Sequence, residues 1–154
     1  MLSSDALEAL ARLVGEVFRT NGRLLAAGDE LLAGVGLTSA RWQVLGSISK
    51  AGGSATVAQI ARDRGLTRQG VQRVVNDLLR EGLLVSGDNP RHQRAYLLSL
   101  TPSGQKLHAA ADALALPWLT GLASGVAPEA LASAAQTLAL LRERLERGAS
   151  EPTR

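Results

Sequence analysis

Apolar residues recur at helical spacing through most of the chain. Leu7, Leu10, Val14, Val17 and Phe18 begin the pattern, and Leu24, Leu25, Leu31 and Leu32 prolong it, which predicts one long amphipathic helix. Ser3, Ser4 or Asp5 is placed to cap its start, and the glycines at 34 and 36 to stop it. Thr38 offers a second cap ahead of Trp42, Leu45 and Ile48, opening a helix of about four turns that ends at Gly52-Gly53.

The middle of the chain is punctuated more sharply. Thr56-Val-Ala-Gln59 has the form of a capping box, opening a short helix that Gly65 closes. Thr67 caps the next helix at once, and Gly82 ends it. On a helical projection of that second helix, Val71, Val74, Val75 and Leu78 share one face, while Arg68, Gln69, Gln72, Arg73 and Asn76 share the other. Two helices joined by a tight Gly65-Leu66-Thr67 turn form a helix-turn-helix. Two β-prone runs follow, Leu83-Leu-Val-Ser and Ala95-Tyr-Leu-Leu-Ser-Leu100. They flank a Gly/Asp/Asn/Pro turn carrying Arg91, His92 and Arg94, which predicts a hairpin with a basic tip. Pro102 stands at the first position of a further helix continued by Leu107, Ala110, Ala111 and Leu114, and Pro117 is expected to kink or break it. Pro128-Glu129 opens a last helix with a stripe of Leu131, Ala135, Leu138, Leu141 and Leu145. The expected fold is mainly α: a winged helix-turn-helix with a small β-hairpin wing, placed between long N- and C-terminal helices.

Length and composition agree with this. The 154 residues suit one domain, which would bury roughly 68–70% of its unfolded surface. With 45% apolar residues, 20% charged residues and four aromatics (Phe18, Trp42, Tyr96, Trp118), helices packed on helices are favoured over a β-sandwich or disorder. The absence of cysteine removes disulfides, thiolate metal sites, a cysteine nucleophile and a thiol-oxidation sensor. No apolar run is long enough to span a bilayer, and the opening Met1-Leu-Ser-Ser-Asp-Ala reads as a capped helix, not a basic leader. The expectation is a cytoplasmic protein without a membrane partner.

Charge narrows the function. The net charge is +3, yet the isoelectric point is near 10.2, because 15 of the 17 basic residues are arginine and little else titrates between neutrality and that pH. Residues 1–53 hold five basic and five acidic side chains and residues 102–154 five and five, against seven and four in residues 54–101. The excess therefore coincides with the helix-turn-helix and hairpin, where it either meets a polyanion or is simply solvated. Arginine pairs bidentately with guanine, and Asn or Gln with adenine, in the major groove. Arg68, Gln69, Gln72, Arg73 and Asn76 are thus candidate base or phosphate contacts, with Thr67 presenting its hydroxyl to a phosphate at the helix start. Arg91 and Arg94 are placed for the minor groove, whose negative potential attracts arginine. The alternative is a winged-helix interaction module whose polar helix grips an acidic protein partner.

Enzyme and metal chemistries find no support. His92 and His108 form no His-x-x-x-His pair and have no carboxylate cluster beside them, Gly52-Gly-Ser54 lacks the lysine of a phosphate-binding loop, and no Gly-x-Ser-x-Gly or paired-carboxylate arrangement appears. No enzyme activity, cofactor or metal is expected.

Leu37-Thr-Ser-Ala-Arg-Trp-Gln-Val-Leu45, Thr56-Val-Ala-Gln-Ile-Ala, Leu66-Thr-Arg-Gln-Gly-Val-Gln-Arg-Val-Val-Asn-Asp-Leu78, Glu81-Gly-Leu-Leu84, Asn89-Pro90, Arg94-Ala95 and Leu98-Ser-Leu-Thr-Pro-Ser-Gly104 stand in this order along the chain. Together they resemble the MarR family of multiple antibiotic resistance regulators. The resemblance covers the chain in order and implies a homodimeric transcriptional regulator, usually a repressor, of a palindromic operator in double-stranded DNA. It implies that residues 1–36 and 102–154 supply dimerisation helices around a DNA-binding lobe at 37–101, within a single domain of 1–154. Thr67, Arg68, Gln69, Gln72 and Arg73 fall on recognition-helix positions and Arg94 on the wing arginine. A small lipophilic or phenolic effector is implied where the lobe meets the dimerisation helices, near Phe18, Trp42, His108 and Trp118. Three departures stand out: His92-Gln93-Arg94 replaces a common Asp-Arg-Arg tip, Gly70 replaces an alanine or serine at a cost of roughly 1 kcal/mol of helix propensity, and Pro117 interrupts what is commonly an unbroken long helix.

Overall fold

A computed structural model of the chain describes residues 3–150. The chain divides into two compact units, Met1–Leu116 and Pro117–Arg154.

The first unit opens with α1 (Ser4–Leu32). Of the three candidate caps Ser3 is the one used, its Oγ accepting from the Ala6 amide at 3.3 Å. Gly34 does not stop the helix. The chain tightens into a single 3-10 turn over Ala33–Val35, and Gly36, at φ 74°, ends it. The second helix, α2 (Ser39–Lys50), is capped by Thr38 and has 12 residues, nearer three turns than four, because Ala51 already leaves helical geometry before the glycine pair. The two helices touch closely. Buried Ser39 donates from Oγ to the Leu25 carbonyl at 2.9 Å, and its amide donates to Asp29 Oδ1 at 2.7 Å. A Cβ at Gly28 would sit 2.3 Å from the Ser39 hydroxyl, so glycine is what lets α1 and α2 approach there.

The helix-turn-helix consists of α3 (Val57–Arg64) and α4 (Arg68–Arg80). Val44, Leu45 and Ile48 of α2, Ile60 of α3, and Val71, Val75 and Leu78 of α4 are almost fully buried in one core, while Val74 is half-buried at its edge. The hairpin is β2 (Leu84–Gly87) paired antiparallel with β3 (Leu97–Leu100), Leu84 facing Leu100 and Gly87 facing Leu97. Strand β3 starts two residues later than the apolar run predicts, leaving Ala95 and Tyr96 in the wing loop. A further strand, β1 (Ser54–Ala55), pairs with β3 to give a three-stranded sheet in the order β1-β3-β2. Two residues carry no periodicity, and the preceding glycines read only as a helix stop.

Thr101 joins the sheet to α5 (Pro102–Ala123), its hydroxyl donating to the Gly82 carbonyl at 2.7 Å and accepting from the Gly104 amide at 3.1 Å. A Cβ at position 104 would lie 2.1 Å from the Leu83 carbonyl oxygen, so the backbone approach excludes any side chain there. Pro117 does not break α5, which continues to Ala123. A proline withdraws one N–H, here the donor to the Ala113 carbonyl, and good helix formers on both sides carry the helix past it.

The second unit contains the end of α5 and α6 (Pro128–Ser150). No described residue of α6 is buried, and Leu131, Leu138 and Leu145 are exposed. Among the described residues no single helix is long and apolar enough to cross a membrane.

Candidate nucleic-acid interface

Local hydrogen bonds preset the helix pair. Thr56 and Gln59 close a complete capping box at the start of α3, the Thr56 Oγ1 accepting from the Gln59 amide at 3.2 Å and the Thr56 amide donating to Gln59 Oε1 at 2.8 Å. Gly65 turns the chain at φ 63°, a conformation that costs glycine nothing. Thr67 Oγ1 then accepts from the Gly70 amide at 3.1 Å, and its O–H remains available as a donor. A Cβ at Gly70 would press to 3.1 Å of that same oxygen, so glycine relieves the cap at the price of helix propensity.

With Val71, Val75 and Leu78 buried, α4 turns Arg68, Gln69, Gln72, Arg73 and Asn76 to solvent. Gln72 Nε2 donates to Asn76 Oδ1 at 2.8 Å, one turn away, which aligns two amide side chains before any partner arrives. Acids are placed only toward the other end of the helix. Asp77 pairs with Arg80 at 3.0 Å, and Glu81 pairs with Arg41, which also donates to the Gly36 carbonyl. The N-terminal half of α4 is left with cationic and amide groups alone.

The wing loop is folded by Asn89, whose Oδ1 accepts from the Arg91 amide at 3.0 Å and whose carbonyl accepts from the His92 amide. Arg91 and Arg94 are both exposed. Between α4 and the wing lies a cleft of about 440 Å³, lined by Arg68, Gln69, Gln72 and Leu79 of α4, by Ser86, Arg94, Ala95 and Tyr96 of the hairpin, and by Thr56, Val57 and Ala58 at the start of α3. Four of the sequence-derived DNA candidates therefore meet around one concavity. Thr67, Arg73, Asn76 and Arg91 lie on exposed backbone or helix outside it.

A second, smaller cavity of about 190 Å³ is lined by Trp42, Gln43 and Gly46 of α2, Arg64 of α3, and His108 and Asp112 of α5. Asp112 draws the aromatic groups together, accepting from Trp42 Nε1 at 2.9 Å and standing 3.5 Å from His108 Nδ1. Arg64 is held from outside, its Nε donating to Ser47 Oγ at 2.6 Å while Ser47 donates to Asp63 at 2.7 Å. Trp42 and His108, two of the four effector candidates, thus share this space. Phe18 is 75% exposed on α1 and does not line it, and Trp118 belongs to the second unit. Sequence reasoning missed Asp112 and Arg64; the helical offset of four between His108 and Asp112 was the available signal. Among the described residues no three potential metal-ligating side chains gather.

Comparison with known proteins places these features. Residues 35–95 match the MarR family model. The uncharacterized protein Rv2011c of Mycobacterium tuberculosis (strain ATCC 25618 / H37Rv) is 41% identical over 131 residues, covering 85% of this chain and 90% of that protein. The MarR-family transcriptional regulator from Rhodococcus sp. RHA1 superposes with a TM-score of 0.71 at 22% identity, covering 92% of this chain and 96% of the other. The M. tuberculosis regulator MOSR, crystallised in complex with DNA, gives 0.71 at 22% identity over 87% of this chain and 96% of its own. With a relative this similar over most of its length, and a winged helix whose core segment matches the family model, the chain belongs to the MarR family.

Proposed function

We propose that this chain is a sequence-specific DNA-binding transcriptional regulator, acting in the cytoplasm as a homodimer on a palindromic operator, and that it is a repressor released by a small lipophilic or phenolic effector. The observation that carries the reading is the exposed, acid-free cationic and amide face at the start of α4 set across one cleft from Arg94 of the wing. That spacing suits a helix in the major groove beside an arginine in the adjacent minor groove. MOSR, a protein of the same fold, is seen with DNA. The apolar stripes of α1 and α6 support a two-fold partner, which would set two recognition helices in successive major grooves, roughly 34–36 Å apart. In this reading residues 37–101 bind DNA, residues 1–36 and 102–154 dimerise, and the cavity holding Trp42 and His108 receives the effector. The chain binds and does not catalyse.

The test is a mobility-shift titration on the DNA immediately upstream of the protein's own coding region, across a range of salt, with and without phenolic compounds. Binding is expected to weaken with a log–log slope of about −0.9 per phosphate neutralised, and an effector is expected to release the complex. Failure to retard that DNA or random duplex at low salt would defeat the proposal; retention by an acidic protein instead would favour an interaction module.

A further inference from the structure

Tyr96 is a large side chain left 63% exposed. It stands in the wing loop just before β3, lines the same cleft as Arg68, Gln69, Gln72 and Arg94, and has no hydrogen bond for its hydroxyl among the described residues. It neither fills the core nor joins a polar network of the fold.

The cleft acquires a meaning on duplex DNA, and here the argument rests on the proposed function. A major groove and the minor groove beside it are separated by one sugar–phosphate strand. With α4 in the first and Arg94 in the second, that strand has to pass through the space between them, which is the cleft of about 440 Å³. The partly exposed apolar lining from Val57, Ala58, Leu79 and Ala95 suits deoxyribose and offers no side-chain hydrogen bond to phosphate. Phosphate oxygens must find their donors in the polar lining, which also includes the hydroxyls of Thr56 and Ser86. Arg68 and Arg94 are cationic donors, and Tyr96 brings a neutral O–H whose natural partner is an anionic oxygen.

We infer that Tyr96 contacts DNA: its phenolic hydroxyl donates to a phosphate oxygen of the strand seated in the cleft, and its ring packs on the adjoining sugar. Phosphate contacts of this kind fix register and carry no base preference. A neutral donor also leaves a distinctive trace, because it adds affinity without releasing a counterion.

The experiment measures the salt dependence of binding of the full-length protein to a random-sequence DNA duplex. Tyr96→Phe is expected to bind about tenfold more weakly, the effect of losing one hydrogen bond to a charged group, with the log–log salt slope unchanged. Arg94→Ala should lower both the affinity and the slope, the latter by about 0.9. Tyr96→Ala should lose more than Tyr96→Phe, since the ring contact goes as well, and both tyrosine variants should melt at the wild-type temperature. Wild-type affinity in Tyr96→Phe overturns the assignment, as does a loss in Tyr96→Ala that Tyr96→Phe does not share. A wild-type protein that binds no duplex overturns the functional reading and this contact with it, an outcome distinct from a binding protein indifferent to position 96.

Discussion

Arg73 is exposed on α4, outside the cleft, with no acid of this chain paired to it among the described residues. Its side chain is exposed, so its removal should leave folding untouched and register only on DNA. Arg73→Ala is expected to cost about 1–3 kcal/mol on the cognate site and much less on random DNA, measured by competitive mobility shift, if the arginine reads a base. Equal losses on both would make it a phosphate contact. Gly104 shows the opposite case. There a Cβ would come within 2.1 Å of the Leu83 carbonyl, and that oxygen already accepts from the Thr101 amide at 3.1 Å. Gly104→Ala should destabilise the fold by about 1–3 kcal/mol, the range of overpacked sites, seen as a lower urea midpoint.

Helix starts are where local chemistry and function overlap. The Thr67 hydroxyl caps α4 through the Gly70 amide and also stands at the end of the helix offered to DNA. Thr67→Ala should lose about 1 kcal/mol of stability by chemical denaturation, while Thr67→Ser, which keeps the oxygen, should recover most of it together with any DNA affinity lost. Caps of this kind were legible in the sequence because donor and acceptor lie three residues apart. Strand β1 was not, since Ser54 and Ala55 become a strand only by pairing with Ser99 and Leu98. The continuation of α5 past Pro117 was likewise hidden, because local sequence names the missing donor and not the helix that persists around it.

For the molecule as a whole, the exposed apolar stripes are the feature a single chain does not explain. Leu7, Leu10 and Phe18 on α1 are 53%, 38% and 75% exposed, and Leu138 and Leu145 on α6 are 40% and 74% exposed. Exposed apolar stripes of this kind are the mark of interaction faces. In the proposed function a second copy would cover them and would also double the DNA-reading surface. Leu10→Glu and Leu138→Glu would each bring a carboxylate into such an interface at a cost of several kcal/mol. Each variant is expected to sediment as one chain where the wild type sediments as two, and to bind operator DNA at least tenfold more weakly. A variant that stays two-chain would remove its helix from the interface.

The sequence alone determined where the helices begin, the caps at Thr38, Thr56 and Thr67, the buried and polar faces of α4, and the concentration of arginine in the middle of the chain. All of these depend on residues within a turn or two of each other, where spacing and side-chain chemistry suffice. Tertiary structure alone decided which surfaces face one another: Tyr96 and Arg94 across a cleft from Gln69, and Trp42 bound to Asp112, 70 positions away. Such distances are set by how α2, α5 and the sheet pack around the shared core, a collective balance of buried volume that no short stretch of sequence encodes.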